Sequence, residues 1–198
     1  MGISAAQVKE LREASGAGVL ECRKVLEECG GDFEKALAAL RERGLVAAAK
    51  RAGRETKEGL IELYAHGGGR VGVMVEVNCE TDFVARTEQF RNFAHDLALH
   101  IAATQPRYVE VNDIPEEVLA EEKRLIRAQA SQEGKPEKVI EKIVEGRLEK
   151  FYEEVCLLRQ PFVKDETLTV GDLLKNMIAT TGENIIVRRF VRWERGGN

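Results

Sequence analysis

The sequence predicts an α+β fold: an N-terminal three-helix bundle, then a core of a small antiparallel sheet packed with helices. Three observations carry this reading. Apolar residues recur at spacings of three and four through residues 4–43, and glycine breaks the pattern twice. Val71, Val73, Val75 and Val77 alternate with Gly72, Met74, Glu76 and Asn78, the period of a strand with one buried face. Two strands, a run of helices and then a last strand make an α+β layer. The 198 residues, 43% of them apolar, suit one large domain or two small ones. The expected division is a bundle over 1–44, a basic helical linker over 45–57 and a core over 58–198.

In the bundle, Ser4 is placed to cap a first helix with Val8 and Leu11 inside, and Ser15-Gly16-Ala17-Gly18 breaks it. Val19, Cys22, Val25, Leu26 and Cys29 mark a second helix, ended by Gly30-Gly31. Asp32 caps a third, with Phe33, Ala36, Leu37 and Leu40 inside and Gly44 as its stop. So small a bundle buries little, and its use is to present a surface. Gly16-Ala17-Gly18 followed by Val19 and Leu20 is the candidate, although periodicity equally allows Val19 and Leu20 a place in the core. Ala47 to Arg54, rich in alanine, lysine and arginine, reads as a solvated helical linker.

In the core, a strand over Leu60 to Ala65 joins the valine strand through Gly67-Gly68-Gly69-Arg70, a hairpin turn. Phe90, Phe93, Leu97 and Ile101 mark a helix that ends before Pro106. A second helix has Pro115 in its first turn after the cap candidate Asp113. A long third opens at Pro136, with Ile140, Val144, Leu148, Phe151, Val155 and Leu158 along one side. Its other side repeats glutamate at 137, 141, 145, 149 and 153, a solvated face. A fourth runs from Thr169, with Asp172 completing a capping box, to Gly182. In the last strand, 185–194, strict alternation puts apolar and charged residues on both faces, as in an edge or interface strand.

Composition excludes several classes. No run approaches the roughly 20 apolar residues of a membrane span, and Met1-Gly2-Ile3-Ser4 reads as the start of a cytoplasmic protein. Cysteines at 22, 29, 79 and 156 have no metal or disulfide spacing. The net charge is −4, and the one strong basic excess, six basic against two acidic residues over 41–57, is too narrow for a nucleic-acid face. The Gly67–Gly69 run lacks the Lys-Ser/Thr and the helix of a phosphate loop. His66, His95 and His100 form no metal pattern, and no nucleophile has a local base, so neither an enzyme nor a cofactor is expected.

One stretch resists a purely structural account: Asn78-Cys79-Glu80-Thr81-Asp82-Phe83-Val84-Ala85-Arg86. Either Thr81 caps the following helix and Phe83 continues the Phe90 stripe, or Asp82 and Phe83 stand on an exposed turn as an anion and an aromatic wedge.

Val77 to Val84 closely resembles the signature of bacterial elongation factor Ts, the nucleotide-exchange factor of elongation factor Tu. The resemblance continues through Val8-Lys9-Glu10-Leu11-Arg12, Gly16-Ala17-Gly18, Ala47 to Ala52, His100-Ile101-Ala102-Ala103, Glu133-Gly134-Lys135-Pro136, Glu145-Gly146-Arg147, Gln160-Pro161-Phe162-Val163 and Gly182-Glu183-Asn184-Ile185. It implies a ubiquitin-associated-like bundle that docks on elongation factor Tu through Gly18, Val19, Leu20 and Cys22, with Val19-Leu20 where relatives often carry two methionines. It implies that Asp82 and Phe83, on a turn shaped by Thr81 and Val84, disturb the partner's Mg²⁺ site and release GDP. Because this chain has a single core where longer members have a doubled one, it also implies a homodimer. The competing expectation is an adaptor that tethers without exchange, which would have no use for the Thr81–Val84 turn.

Overall fold

The computed structural model describes residues 2–134 and 136–197, and at Leu45 and Ala47 the backbone alone. Met1, the Lys135 of Glu133-Gly134-Lys135-Pro136 and the side chain of Ala47 in the alanine-rich stretch therefore lie outside the described residues.

Local chemistry starts each bundle helix. The Ser4 hydroxyl accepts the Gln7 N–H at 3.2 Å while the Gln7 side chain accepts the Ser4 N–H, a reciprocal capping box that opens α1 (Ala5–Ser15). Gly16, at φ 69, closes it in the left-handed region. Next come α2 (Val19–Glu28) and α3 (Phe33–Arg51), the latter capped by Asp32, which accepts the Lys35 N–H at 3.0 Å. Val8, Leu11, Cys22, Val25, Leu26, Ala36 and Leu40 form their shared core.

Gly44 does not stop the third helix as its type suggests, and α3 runs through it to Arg51. The residue is there for proximity. A Cβ at 44 would lie 3.2 Å from the Ala179 methyl carbon, so glycine lets α3 lie close on a helix of the core. The helix bears the roughly 1 kcal/mol that a helical glycine costs in return for that approach.

The sheet has the order β1-β2-β5, all antiparallel, with β1 at Glu58–His66, β2 at Val71–Cys79 and β5 at Ile185–Glu194. Val71, Val73, Val75, Val77 and Cys79 of the central strand are buried against α5 (Glu88–Thr104), which contributes Phe90, Phe93, Ala94, Leu97, Ala98 and Ile101. Strict alternation fails in β5. A bulge opposite Glu76 and Val77 shifts its register. Ile185 and Val187 before it, and Phe190, Arg192 and Glu194 after it, oppose the buried residues of β2, whereas Arg189, Val191 and Trp193 oppose its outer ones.

Between β2 and β5 the chain adds α6 (Glu116–Gln132) and α7 (Glu137–Val155), an antiparallel hairpin whose glutamate side is exposed. Pro115 occupies the α6 cap position itself, and Asp113 instead accepts the Glu110 N–H in the preceding turn. Two short strands that periodicity does not reveal follow, β3 (Pro161–Phe162) and β4 (Asp165–Thr169). They lead into α8 (Val170–Thr181), with its Thr169–Asp172 capping box and Gly182 at its end.

His100 ties this excursion to the core. It is fully buried, its Nδ1 accepts the Val163 N–H at 3.2 Å, and its Nε2–H therefore donates to Gln160 Oε1 at 3.0 Å. Gln160 in turn donates to the Glu154 carbonyl at 2.8 Å. Burial holds the imidazole pKa below its ordinary 6.5, with the Gln160 hydrogen bond opposing in part. The proton is thus taken up first by the unfolded chain. Stability is full above about pH 6.5 and falls as pH drops below it, by at most about 1.4 kcal/mol per pH unit. Thermal midpoints followed downward from about pH 6.5 should fall in the wild type and fall less in His100→Gln.

Candidate functional site

Thr81 shows that the two readings of its stretch are not exclusive. It does cap a helix, accepting the Val84 N–H at 3.4 Å, but the helix is the single-turn α4 (Asp82–Ala85) rather than the long one. Thr87 caps α5 separately, accepting the Phe90 N–H at 3.2 Å and donating to the Val84 carbonyl at 2.8 Å. Phe83 therefore cannot continue the Phe90 stripe. Its ring is 81% exposed while Phe90 is completely buried.

The neighbours of Phe83 hold the turn down. Val84 packs against the main core, Ala85 is buried in it, and Cys79 donates its thiol to the Thr81 carbonyl at 3.1 Å. Burial, with the nearby Glu183 carboxylate, pushes that thiol up to about 11, so it stays protonated and able to donate. Asp82 is half-buried, its carboxylate 2.9 Å from the Arg86 guanidinium one turn on. Residues 80 and 81 are also gripped by Glu183 and Asn184, just before β5, a role that sequence reading missed. Gly182-Glu183-Asn184 after a helix was the available signal, but a helix end explains it equally well.

In the bundle, both apolar candidates lie outside the core. Leu20 is 84% exposed and Val19 50%, in the first turn of α2 after Gly18. Cys22, grouped with them as a contact, is instead completely buried. Its thiol faces the Ala17 carbonyl at 3.6 Å and the Ser15 hydroxyl at 3.7 Å, and that hydroxyl accepts the Ala17 N–H at 3.2 Å. Ser15 and Cys22 thus fold the loop back on the bundle and leave Val19 and Leu20 facing out.

The bundle loop reaches the start of α5. A Cβ on Gly16 would meet Thr180 of α8 at 3.1 Å and Gln89, in the first turn of α5, at 3.9 Å. Lys9, Arg12, Glu13 and Gly16 line one crevice with that same Gln89. The loop before Val19 and the turn carrying Phe83 both adjoin the start of α5. Among the described residues no group of three or more His, Cys, Asp or Glu is placed to hold a metal.

A sequence model of the family described as "Elongation factor TS" matches residues 24–197. An elongation factor Ts of Moorella thermoacetica is 61% identical over 194 residues, 98% of this chain and 96% of that protein. One of Caldanaerobacter subterraneus is also 61% identical, over 98% of this chain and 97% of its own. One of Carboxydothermus hydrogenoformans is 59% identical, over 98% of this chain and 89% of its own. The relatives span the bundle start that the family match leaves out.

An exposed ring contributes little to folding. Phe83→Ala should unfold within about 2 °C of wild type, whereas Phe90→Ala should lose about 3–5 kcal/mol, as calorimetry or urea titration would measure.

Proposed function

The chain belongs to the elongation factor Ts family, and from that premise we propose how its residues serve the family's function. That function is guanine nucleotide exchange on elongation factor Tu during translation elongation. The observation that carries our reading is the 81% exposed phenyl ring of Phe83 on a turn whose flanks are buried or hydrogen-bonded. Exposed aromatic anchors on rigid supports are the residues that dominate interface energetics.

In this reading Val19 and Leu20 dock the bundle, residues 1–44, on the partner. The Asp82–Phe83 turn then enters beside the partner's Mg²⁺ and phosphates. GDP is held by that metal and its coordination shell, so displacing the shell weakens nucleotide binding. Asp82 adds a negative charge next to the phosphates, and Arg86, already paired with it, moderates that charge. No covalent bond forms or breaks. Because coupling is reciprocal, nucleotide must loosen the partner's hold on this chain by the factor by which this chain loosens nucleotide. A tethering adaptor without exchange is not favoured, since relatives across nearly the whole chain are named elongation factor Ts.

Homodimerisation is the second part of the proposal, with the cytoplasm as the place of action. It is supported by the outer face of the sheet. Leu63, Met74 and Val191 lie in one row across the three strands, with Trp193 beside Gly72 in the next. Leu63 is 66% and Trp193 69% exposed. A patch of this kind on a twisted sheet suits face-to-face packing against a second copy.

Two measurements test these readings. Release of fluorescent GDP from elongation factor Tu should accelerate with wild type and lose more than about tenfold of that acceleration in Phe83→Ala. No acceleration by wild type defeats the exchange reading, and an unimpaired mutant defeats the wedge alone. Light scattering at micromolar concentration should give twice the 22.1 kDa chain mass for wild type and the single mass for Leu63→Glu.

A further inference from the structure

Residue 183 sets the surroundings of Thr81 from 102 positions away in sequence. One oxygen of the Glu183 carboxylate accepts the N–H of Glu80 at 3.1 Å and that of Thr81 at 3.0 Å. The other accepts the Thr81 hydroxyl at 2.6 Å. The single hydroxyl proton of Thr81 is therefore committed to Glu183, which leaves a lone pair for the Val84 N–H and so fixes the cap of α4. A return set of bonds locks the same two segments. Glu80 accepts the Asn184 N–H at 2.6 Å, and the Asn184 side chain donates to the Arg54 carbonyl at 2.8 Å.

We infer that Glu183 is a positioning residue for nucleotide exchange: it fixes the direction in which Asp82 and Phe83 leave the sheet, without itself touching nucleotide or metal. This rests on the reading of that turn as the acting element. The residue type is dictated by the donors. Three donors converge, and a carboxylate is an acceptor on both oxygens and takes them all as charge-assisted bonds. A glutamine of the same size offers one acceptor oxygen, which can keep the two backbone N–H bonds only without charge assistance, and its NH₂ group leaves the Thr81 O–H without its acceptor. The turn would stay attached at Ala85 yet lose its fixed direction.

The test compares wild type, Glu183→Gln, Thr81→Val and Thr81→Ser. By NMR hydrogen exchange, Glu183→Gln should speed exchange of the Glu80, Thr81 and Val84 amides at least about tenfold, with Val75 and Val77 unchanged. In GDP release titrated with the factor, its maximal rate should fall at least about tenfold, while the half-saturating concentration moves by less than about threefold, since Val19 and Leu20 are untouched. Thr81→Val should show the same split, and Thr81→Ser, which keeps the hydroxyl, should lose less. The double variant Thr81→Val/Glu183→Gln should be no slower than its slower parent, because both changes break one unit. Should Glu183→Gln fail to fold, the two Thr81 variants carry the same comparison. Unchanged amide exchange, an unchanged maximal rate, or a loss confined to the half-saturating concentration overturns the role. A wild type that leaves GDP release unaltered overturns the exchange reading and this role in exchange with it. The amide data then show separately whether the clamp itself exists.

Discussion

The buried valine face of β2 is the constraint from which the rest of the layout follows. With Val71, Val73, Val75 and Val77 all turned onto α5, the central strand has one possible inside. β1 and β5 must then flank it, and α5 and α8 must share the inner side. Whatever follows Cys79 emerges at one defined end of the sheet, and that is where Thr81 to Val84 lies. Among the described residues no helix covers the opposite face of the three strands, so Leu63 and Met74 in its Leu63–Met74–Val191 row are exposed in the single chain.

Much of this was legible because it is local. Ser4, Asp32 and Thr169 announce helix starts by side-chain chemistry within three residues, and all three act as caps. The valine alternation gave the central strand and its inside. What escaped depends on contacts distant in sequence. Gly44 looks like a stop because glycine is a poor helix former, and only the approach of Ala179 explains why it sits in mid-helix. The alternation of β5 misled because a bulge inserts a residue and exchanges the faces beyond it. Cys22 shares the loop pattern of Val19 and Leu20 but turns inward, since its thiol meets the carbonyl that closes the loop. The Glu183 clamp left only an ambiguous trace, a glycine helix end at 182–184, because no pattern within a window joins residues 81 and 183.

Polar and apolar groups trade their customary places in this chain. Inside, His100, Gln160 and Asn184 are buried, with every contact serving to fix a loop. Outside, Leu20 and Phe83 expose side chains whose burial is worth about 1.5–3 kcal/mol each. The two choices belong together. A loop held by hydrogen bonds and by its flanking residues keeps its shape without the apolar residue at its tip, which frees that residue to point away and bury its surface elsewhere.

That arrangement bears on how exchange can be driven without chemistry. The work of distorting a partner's metal site must come from binding energy, and any part used to order the wedge is lost to the distortion. Freezing one backbone residue costs roughly 1–2 kcal/mol, so ordering a four-residue turn on contact would cost more than the roughly 1.5–3 kcal/mol that burying an aromatic ring supplies. A turn already held at Thr81, Val84 and Ala85 before the encounter has met that cost during folding, where the core supplies it. On the proposed reading, the rigidity of residues 80–85 serves the function as well as resulting from the fold. On that reading, binding energy from Phe83 goes into the partner's site rather than into the factor's own loop.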